Sequence, residues 1–320
     1  MKSGRGPLTI GVDVGGTKVA GGVVDADGRV LAQTRCETPA RDVERTRGVI
    51  IDVVRELAAA YPVTAVGIGA AGWIDPGRTT VRYAPNLAWR EERLHDHVAA
   101  AVDLPVVVEN DGNVAAWAEF RFGAARDIDG SMVMFTVGTG IGGGVVVNGQ
   151  LLRGGFGVAG ELGHVSAVPD GESCGCGRRG CLEQYASGRA LVRHARAAAA
   201  RNPQAAAGLL ALVGGDLEAI TGPVVTTAAR AGDKVACEAF ESIGRWLGVG
   251  LADMVQILDP EVLVIGGGVA EAGELLLAPA RESYHDALAA RGRLPVAPVV
   301  AARLANTAGV VGAADLARRA

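Results

Sequence analysis

Apolar runs separated by glycine-rich turns mark two similar segments of the chain. The first, LTIGVDVGGTKVAGGVVDADGRVL over residues 8–31, has the pattern of a strand, a glycine turn, a strand, an Asp-Gly turn and a third strand. The second, SMVMFTVGTGIGGGVVVNGQLLRGG from Ser131, has the same order with an Asn-Gly turn. The pattern predicts a duplicated frame built on two β-hairpins.

Helical periodicity follows each hairpin segment. It predicts a helix over 43–60 and a strand over 63–68 in the first half, and a long helix over about 233–258 and a strand over 262–265 in the second. The long helix has apolar residues three or four positions apart, at Ala236, Phe240, Ile243, Leu247, Leu251, Met254 and Leu258. This spacing predicts that the helix packs in a core.

The order of these elements predicts two α/β domains. We expect a small α/β domain over 1–118 plus 305–320, to which a last helix over 310–320 returns, and a large α/β domain over 119–304. The large domain is expected to include an Ala-rich helical subdomain, RHARAAAARNPQAAAGLLALVGG, with a break at Asn-Pro. The hinge is expected near a helix over 113–122.

Composition and charge narrow the class of protein. Hydrophobic residues make up 49% of the chain but aromatic residues only 4%, and there are 47 glycines, as in an α/β enzyme with an aliphatic core. A net charge of -4 with both signs scattered provides no basic face for nucleic acid. Because no stretch resembles a signal peptide or a bilayer span, we expect a cytoplasmic protein without a membrane partner.

Three glycine loops match nucleotide-binding motifs in part. GVDVGGTK over 11–18 departs from the phosphate-loop pattern because its last two residues are transposed and a strand follows. GIGAAG over 67–72 and GTGIGG over 138–143 match G-x-G-x-x-G, but neither opens a helix that could bind a pyrophosphate. A dinucleotide site is therefore disfavoured.

Two hairpin turns are instead predicted to bind the phosphates of a nucleotide, because glycine allows close approach of backbone N–H groups. The residues of these turns are Gly15, Gly16, Thr17, Gly138, Thr139 and Gly140. Asp13, at the end of the first strand, suits Mg²⁺, whereas Lys18 is either a phosphate contact or a solvated strand residue. Gly267 and Gly268 are predicted to form a wall for base and ribose, with strand-to-helix packing as the alternative.

A cysteine cluster lies within GELGHVSAVPDGESCGCGRRGCLEQ, residues 160–184. The four predicted metal ligands are His164, Cys174, Cys176 and Cys181. A Cys₃His set suits a closed, structural tetrahedral zinc site, and free cysteines in a turn are the alternative. Glu161 and Glu183 bracket the cluster, and plain surface charge is their alternative interpretation.

Asp111 is the candidate for acid–base chemistry. It follows a predicted strand over 106–108 and precedes a helix, at the carboxyl end of a strand where open α/β sheets bind ligands. From position alone, a helix N-cap is an equal interpretation.

These motifs together resemble the ROK family (repressor, open reading frame, kinase). DVGGTK, VENDGNVAAWAE, GTGIGGG, GELGH, CGCGRRGCLEQYASG and VIGGG occur in the family's order over nearly the whole chain, and the cysteine signature is the specific part. The resemblance implies the duplicated actin-like or hexokinase-like (ribonuclease H-like) two-domain fold, with the active-site cleft between the domains. The whole is similar to the family's glucokinase branch, which implies ATP-dependent conversion of glucose to glucose 6-phosphate, the first step of glycolysis.

The resemblance also implies roles for individual residues. Asp111 would be the catalytic base that accepts the proton of the sugar hydroxyl. The residues implied to bind the sugar are Asn110, Asp111, Glu161, His164 and Glu183, with backbone near Gly72 and with Asn86 as a further wall. The implied cofactors are ATP, Mg²⁺ and structural Zn²⁺, and a homodimer or homotetramer is expected.

Alternatives remain open at this point. The acceptor could be fructose, mannose or an N-acetylhexosamine, and the phosphoryl donor could be polyphosphate. A non-catalytic sugar sensor is a further alternative. Family repressors have a winged helix-turn-helix ahead of the first strand, and since only seven residues precede Leu8 we expect the kinase branch.

Overall fold

The computed structural model describes residues 6–292 and 294–320, which form both strands and helices. The strands are β1 (Leu8–Val14), β2 (Lys18–Val24), β3 (Val30–Glu37), β4 (Val63–Ala70), β5 (Trp73–Ile74), β6 (Val81–Tyr83), β7 (Arg90–Glu92), β8 (Val106–Asn110), β9 (Met132–Val137), β10 (Ile141–Val147), β11 (Gln150–Leu151), β12 (Val262–Gly266) and β13 (Val299–Ala301). The helices are α1 (Val43–Ala60), α2 (Leu94–Val102), α3 (Asp111–Phe122), α4 (Glu183–Ala186), α5 (Gly188–Arg201), α6 (Ala207–Ala211), α7 (Gly222–Arg230), α8 (Lys234–Leu258), α9 (Glu274–Ala287) and α10 (Ala308–Arg318).

The first five-stranded sheet has the order β3-β2-β1-β4-β8. β1 to β3 are antiparallel, whereas β1, β4 and β8 are parallel to one another. In this register Val14 pairs with Ala70, and Ala70 pairs with Asn110. The carboxyl ends of three strands therefore lie at one edge, which brings Asp13 and Asp111 to the same side of the sheet.

The second five-stranded sheet has the order β11-β10-β9-β12-β13. Both sheets thus place a three-stranded hairpin segment first and then add two later strands at the same edge. β10 and β11 are antiparallel, and β12 and β13 are parallel. The duplicated α/β architecture predicted from the internal repeat is confirmed.

The chain divides into two compact units. Unit 1 holds the described residues up to Met132 together with Gly143–Gly160 and Ala302–Ala320, and unit 2 holds Val133–Gly142 and Glu161–Ala301. The domain limits expected from sequence, 1–118 plus 305–320 and 119–304, stay a prediction. Residues 1–5 of that small domain lie outside the described residues.

The core of unit 1 packs α1 and α10 against the first sheet. Ile10, Val53 and Val108 are among its fully buried side chains. α10 lies directly on the strands, because a Cβ added to Gly67 would come within 1.8 Å of the carbonyl oxygen of Ala313. Glycine is therefore required in the middle of β4, where the backbones of strand and helix meet.

Unit 2 is organised around α8, the long helix predicted from periodicity. Six of the seven apolar positions named above are buried, and Leu258 is half-buried. Asp233 caps the helix, since its side chain accepts a hydrogen bond from the backbone N of Ala236 at 3.0 Å. Within the two described ranges, no helix is both long and apolar enough to cross a bilayer.

Candidate active site

Asp111 lies where β8 gives way to α3. Asn110 is the N-cap of α3, because its side-chain oxygen accepts a hydrogen bond from the backbone N of Asn113 at 3.0 Å. The helix therefore begins two residues earlier than predicted, and the N-cap interpretation of Asp111 is wrong. Oδ1 of Asp111 instead accepts hydrogen bonds from Nδ2 of Asn110 at 3.1 Å and from the backbone N of Gly112 at 2.9 Å.

The carboxyl group of Asp111 binds a proton more tightly than an ordinary aspartate does. Its side chain reaches solvent, but the protein packed around it removes much of the surrounding water. This desolvation, together with the negative charge of Asp13, raises the pKa of Asp111 to about 6, against the lowering effect of its hydrogen bonds. Burial also raises the pKa of Asp13, while the charge of Lys18 lowers it. A carboxylate with a pKa of about 6 is ionised at neutral pH and still basic enough to accept a proton.

Three of the predicted sugar-site residues in unit 1 come together. Besides its bond to Asp111, Nδ2 of Asn110 donates to the carbonyl oxygen of Gly72 at 3.0 Å. Asn86 lies elsewhere, against the first hairpin turn, since a Cβ built on Gly16 would be 3.1 Å from the Cβ of Asn86. Asn110, Asp111 and Gly72 thus form one group, and Asn86 adjoins a predicted phosphate-binding turn.

A buried ion-pair network supports this group, and sequence reasoning missed it. Glu109 is 1% exposed, and its Oε2 lies 3.1 Å from Nε of Arg78 and 2.7 Å from Nε of Arg153. Its Oε1 accepts hydrogen bonds from the backbone N of Asn110 at 3.0 Å and from Nδ2 of Asn113 at 3.1 Å. A glutamate inside the apolar run VVVEN was the available signal, because a buried charge requires partners.

The first hairpin turn joins β1 to β2 and consists of Gly15, Gly16 and Thr17. The backbone N of Gly15 donates to the carbonyl oxygen of Lys18 at 2.9 Å, and Oγ1 of Thr38 donates to the carbonyl oxygen of Gly15 at 2.8 Å. Asp13 precedes the turn by two residues. The backbone N of Thr38 also donates to the carbonyl oxygen of Thr17 at 3.2 Å, and these contacts together fix the turn.

The second hairpin turn joins β9 to β10 and consists of Gly138, Thr139 and Gly140. The carbonyl oxygens of Gly138 and Thr139 accept hydrogen bonds from the backbone N of Gly188 at 2.8 Å and of Arg189 at 3.3 Å. The turn is thereby attached to the first residues of α5. A Cβ on Gly140 would lie 2.1 Å from Oε2 of Glu183, so this carboxylate fills the space under the turn.

A large cavity of about 1020 Å³ lies in unit 2 beside this turn. Gly138, Thr139 and Gly268 line one side, while residues of α5 and α7 form other walls. The charged side chains of its lining are Arg189, Arg193, Arg196, Arg230 and Glu271. The cavity has the volume of a nucleotide site and an excess of positive charge. Sequence reasoning missed the α5 and α7 walls, because nothing in their Ala- and Thr-rich sequences points to a ligand.

Gly267 and Gly268 have different roles. Gly268 lines the cavity, as expected for a residue beside a base or ribose. Gly267 has a φ of 88°, and a Cβ there would lie 2.5 Å from the carbonyl oxygen of Val137. The structure therefore places Gly267 in a turn that only glycine adopts without strain.

The four predicted metal ligands come together in unit 2. Nδ1 of His164 lies 3.6 Å from Sγ of Cys174, and Sγ of Cys176 lies 3.7 Å from Sγ of Cys181. A tetrahedral zinc ion with ordinary bond lengths separates two sulfur ligands by about 3.8 Å, and a sulfur and a nitrogen ligand by about 3.6 Å. All four donor atoms lie within 4.8 Å of one another. The donor set and its spacing fit structural zinc.

The two glutamates beside this cluster have different surroundings. Oε2 of Glu161 lies 3.9 Å from Nε2 of His164, the ring nitrogen that does not face Cys174. Glu183 is buried, and its Oε2 accepts a hydrogen bond from the backbone N of Ile141 at 3.0 Å. Its Oε1 lies 2.9 Å from a guanidinium nitrogen of Arg189. Glu183 therefore combines a position beside the cluster with direct support of the second turn.

Comparisons with known proteins agree with this geometry. The sequence model of the ROK family matches residues 9–320. The chain is 49% identical to the glucokinase of Streptomyces coelicolor over 311 residues, which are 97% of this chain and 98% of the relative. A crystal structure of a ROK family glucokinase from Streptomyces griseus in complex with glucose and AMPPNP is 50% identical, with a TM-score of 0.89 over 98% of this chain and 100% of that chain. The ROK hexokinase from Thermus thermophilus is 35% identical, with a TM-score of 0.81 over 98% of both chains.

Proposed function

This chain belongs to the ROK family, and we propose that it is an ATP-dependent glucokinase, which transfers the γ-phosphoryl group of ATP to the 6-hydroxyl of glucose. The product, glucose 6-phosphate, is that of the first step of glycolysis. The observation that carries the proposal is Asp111, a carboxylate whose pKa is raised to about 6 at the edge of the first sheet. Near full-length similarity to proteins named glucokinase supports the same acceptor.

Asp111 acts as general base in the proposed reaction. It accepts the proton of the 6-hydroxyl while the bond from O6 to the γ-phosphorus forms and the bond from that phosphorus to the bridging oxygen of ADP breaks. The amide of Asn110 holds Asp111 through the 3.1 Å hydrogen bond to Oδ1. Because phosphoryl transfer depends mainly on positioning, this orientation contributes directly to the rate.

The hydroxyls of the sugar are proposed to bind Asn110, Glu161, His164 and Glu183. Carboxylates accept hydrogen bonds from hydroxyls, and an imidazole with Nδ1 directed at Cys174 presents Nε2 on the side of Glu161. Gly72 contributes through its carbonyl oxygen, which accepts a hydrogen bond from Asn110. The assignment of Asn86 to the sugar stays a prediction. Its position against Gly16 is equally consistent with a role beside the first hairpin turn.

The nucleotide is proposed to occupy the cavity of unit 2. Gly138, Thr139 and Gly140 would bind donor phosphates through backbone N–H groups, and Gly268 with the α5 and α7 walls would enclose base and ribose. Gly15, Gly16 and Thr17 of the first turn, with Lys18, are the proposed counterparts in unit 1. The arginines of the cavity favour a polyanionic ligand.

Two metal ions complete the proposal. Asp13 would hold Mg²⁺, and the ion would neutralise phosphate charge. The negative charge of Asp13, which also raises the pKa of Asp111, would attract a divalent cation. Zn²⁺ at His164 and the three cysteines would fix the loop that contains Glu161. If Nδ1 of His164 coordinates that metal, Nε2 of the same ring remains available to a sugar hydroxyl.

The proposal is tested by ADP release from magnesium-ATP with a panel of glucose, fructose, mannose and N-acetylated hexosamines. The wild type, Asp111→Ala and a surface control, Asp127→Ala, are compared at equal zinc content, and polyphosphate replaces ATP in a parallel series. We expect the highest kcat/KM with glucose and ATP, and a loss of about 10²–10⁴-fold in kcat for Asp111→Ala with glucose binding retained. Glucose binding without ADP release from the wild type would instead identify a sugar sensor.

Two further expectations belong to this proposal. A homodimer or homotetramer stays a prediction that sedimentation of the purified protein tests. A cytoplasmic location stays a prediction as well, and fractionation of the source cells tests it.

A further inference from the structure

The Cys/His cluster and the second hairpin turn are joined by one carboxylate, Glu183. Its Oε2 is bound to the backbone N of Ile141, directly after the turn, at 3.0 Å. Its Oε1 lies 4.0 Å from Sγ of Cys174 and 2.9 Å from Arg189. A residue proposed to bind the sugar therefore also supports the segment proposed to bind the donor phosphates.

Arg189 makes contacts on both sides of this junction. Its guanidinium pairs with Glu183, and its backbone N donates to the carbonyl oxygen of Thr139 in the turn at 3.3 Å. Its side chain lines the cavity and is 58% exposed, whereas that of Glu183 is 11% exposed. The arginine therefore has room to change partners, and the glutamate is held in place.

A chain of contacts connects Glu161, which is proposed to bind the sugar, to Arg189, which lines the cavity. It runs from Glu161 to His164 at 3.9 Å, from His164 to Cys174 at 3.6 Å, from Cys174 to Glu183 at 4.0 Å and from Glu183 to Arg189 at 2.9 Å. All of these residues belong to unit 2. Such a contiguous network can carry energetic coupling between two ligands when one of its groups has two arrangements.

We propose that Arg189 is a positioning residue that couples nucleotide binding to sugar binding through Glu183. The inference deepens the proposed function and rests on it. Phosphates in the cavity attract the Arg189 guanidinium, which then leaves Oε1 of Glu183. A poorly solvated carboxylate oxygen that loses its cationic partner binds a hydroxyl donor more tightly, and the sugar supplies one. The nucleotide therefore increases the affinity for glucose, and glucose increases the affinity for the nucleotide by the same factor.

The test measures glucose affinity by calorimetry with and without saturating magnesium-AMPPNP, on the zinc-loaded protein. The variants are Arg189→Ala, Arg189→Lys and a matched control, Arg193→Ala. Arg193 lies on the same helix and lines the same cavity, but its guanidinium bonds to the carbonyl oxygen of Gln184 and not to a carboxylate. Equal zinc content and equal thermal unfolding show that each variant is folded.

For the wild type, we expect AMPPNP to lower the Kd of glucose by about 5- to 20-fold. Arg189→Ala is expected to bring this ratio close to one by tightening glucose binding in the absence of nucleotide. Arg189→Lys keeps part of the ratio because it retains the charge without the planar fork, and Arg193→Ala keeps all of it, whatever its own nucleotide affinity.

Two results overturn the inference and leave the proposed function standing. One is a wild type that binds both ligands but has the same Kd for glucose with and without AMPPNP. The other is an Arg189→Ala variant that weakens glucose binding equally with and without AMPPNP, which indicates simple structural support of Glu183. A wild type that binds neither glucose nor AMPPNP overturns the proposed function and this inference together.

Discussion

Nδ2 of Asn110 donates a hydrogen bond to Oδ1 of Asp111 at 3.1 Å, while the side-chain oxygen of the same asparagine caps α3. The proposed base is thus oriented by the residue that starts the helix. Glu109 supports this arrangement from the buried side through its hydrogen bond to the backbone N of Asn110. Three consecutive residues are therefore a buried anchor, a helix cap and the proposed base.

Activity should depend on the ionisation of Asp111. Since its pKa is raised to about 6 and the base must be deprotonated, kcat/KM is expected to fall about tenfold per pH unit below pH 6. Asp13→Asn should move this acid limb to lower pH, because it removes a negative charge that raises the pKa of Asp111. Initial rates from pH 4.5 to 8 at constant ionic strength measure both profiles, and a wild-type limb near pH 4 contradicts the expectation.

Asp111 should reduce the stability of the fold at neutral pH. Its pKa rises from an ordinary value of 3.8 to about 6 on folding, so its favourable contribution is complete below 3.8 and is lost as pH rises through 6. Asp111→Asn should therefore raise the free energy of unfolding at pH 7 by about 1 kcal/mol, allowing for the solvent that reaches the side chain. The gain should vanish at pH 3.5. Denaturant unfolding at both pH values, without nucleotide or Mg²⁺, measures it, and an equal gain at both would contradict the electrostatic cause.

Loss of the cysteine cluster should destabilise unit 2. Cys181 is fully buried and 3.7 Å from Cys176, so Cys181→Ser removes one of four fitting ligands. We expect the variant to lose zinc and about 3 kcal/mol of stability under conditions where free zinc exceeds its Kd a hundredfold. Cys36→Ser, at an exposed free cysteine, is the control and should keep both. Metal analysis and thermal unfolding decide the matter, and a zinc-free wild type of equal stability would refute it.

The buried Glu109 should contribute strongly to stability. Glu109→Gln leaves Arg78 and Arg153 without their carboxylate, and breaking a buried ion pair costs about 3–5 kcal/mol. Glu91→Gln, in an exposed pair with Arg82, should cost less than about 1 kcal/mol. Urea unfolding of the two variants measures the loss in the free energy of unfolding. Equal losses would contradict a larger contribution of the buried network.

Two glycines of one turn should respond differently to alanine. A Cβ at Gly140 would meet Oε2 of Glu183 at 2.1 Å, whereas a Cβ at Gly138 meets no atom within 4 Å. Gly140→Ala must displace a buried carboxylate and is expected to cost about 1–3 kcal/mol, as overpacking does. Gly138→Ala should leave the unfolding temperature unchanged. Thermal unfolding of both variants tests this, and equal unfolding temperatures would mean that Glu183 does not fill the space under the turn.

Much of the fold followed from local patterns. The predicted bounds of α1, 43–60, are those observed, and the bounds of α8 agree to within one residue, because amphipathic periodicity indicates which face of a helix is buried. The two hairpin segments were recognised by their apolar runs and glycine turns. The four candidate metal ligands were predicted because a Cys₃His set has few other uses, and the structure brings their donor atoms within 4.8 Å of one another.

The start of α3 was predicted two residues late, for a reason that is also local. Asn110 and Asp111 are both good N-cap residues, and the sequence does not say which one caps. The structure decides it, because the register of β8 against β4 carries the strand to Asn110 and leaves that side chain to bond Asn113 and Gly72.

The sequence alone determined the residue types available to the site, namely the carboxylates, the glycine turns and the candidate zinc ligands. Tertiary structure decided how they are used. The pKa of Asp111 depends on the packed protein around it and on Asp13, almost a hundred residues away. The two arginines on Glu109 and the walls of the cavity also come from distant segments. Such contacts depend on strand register and helix docking, which bring remote residues together and leave no periodic trace in the chain.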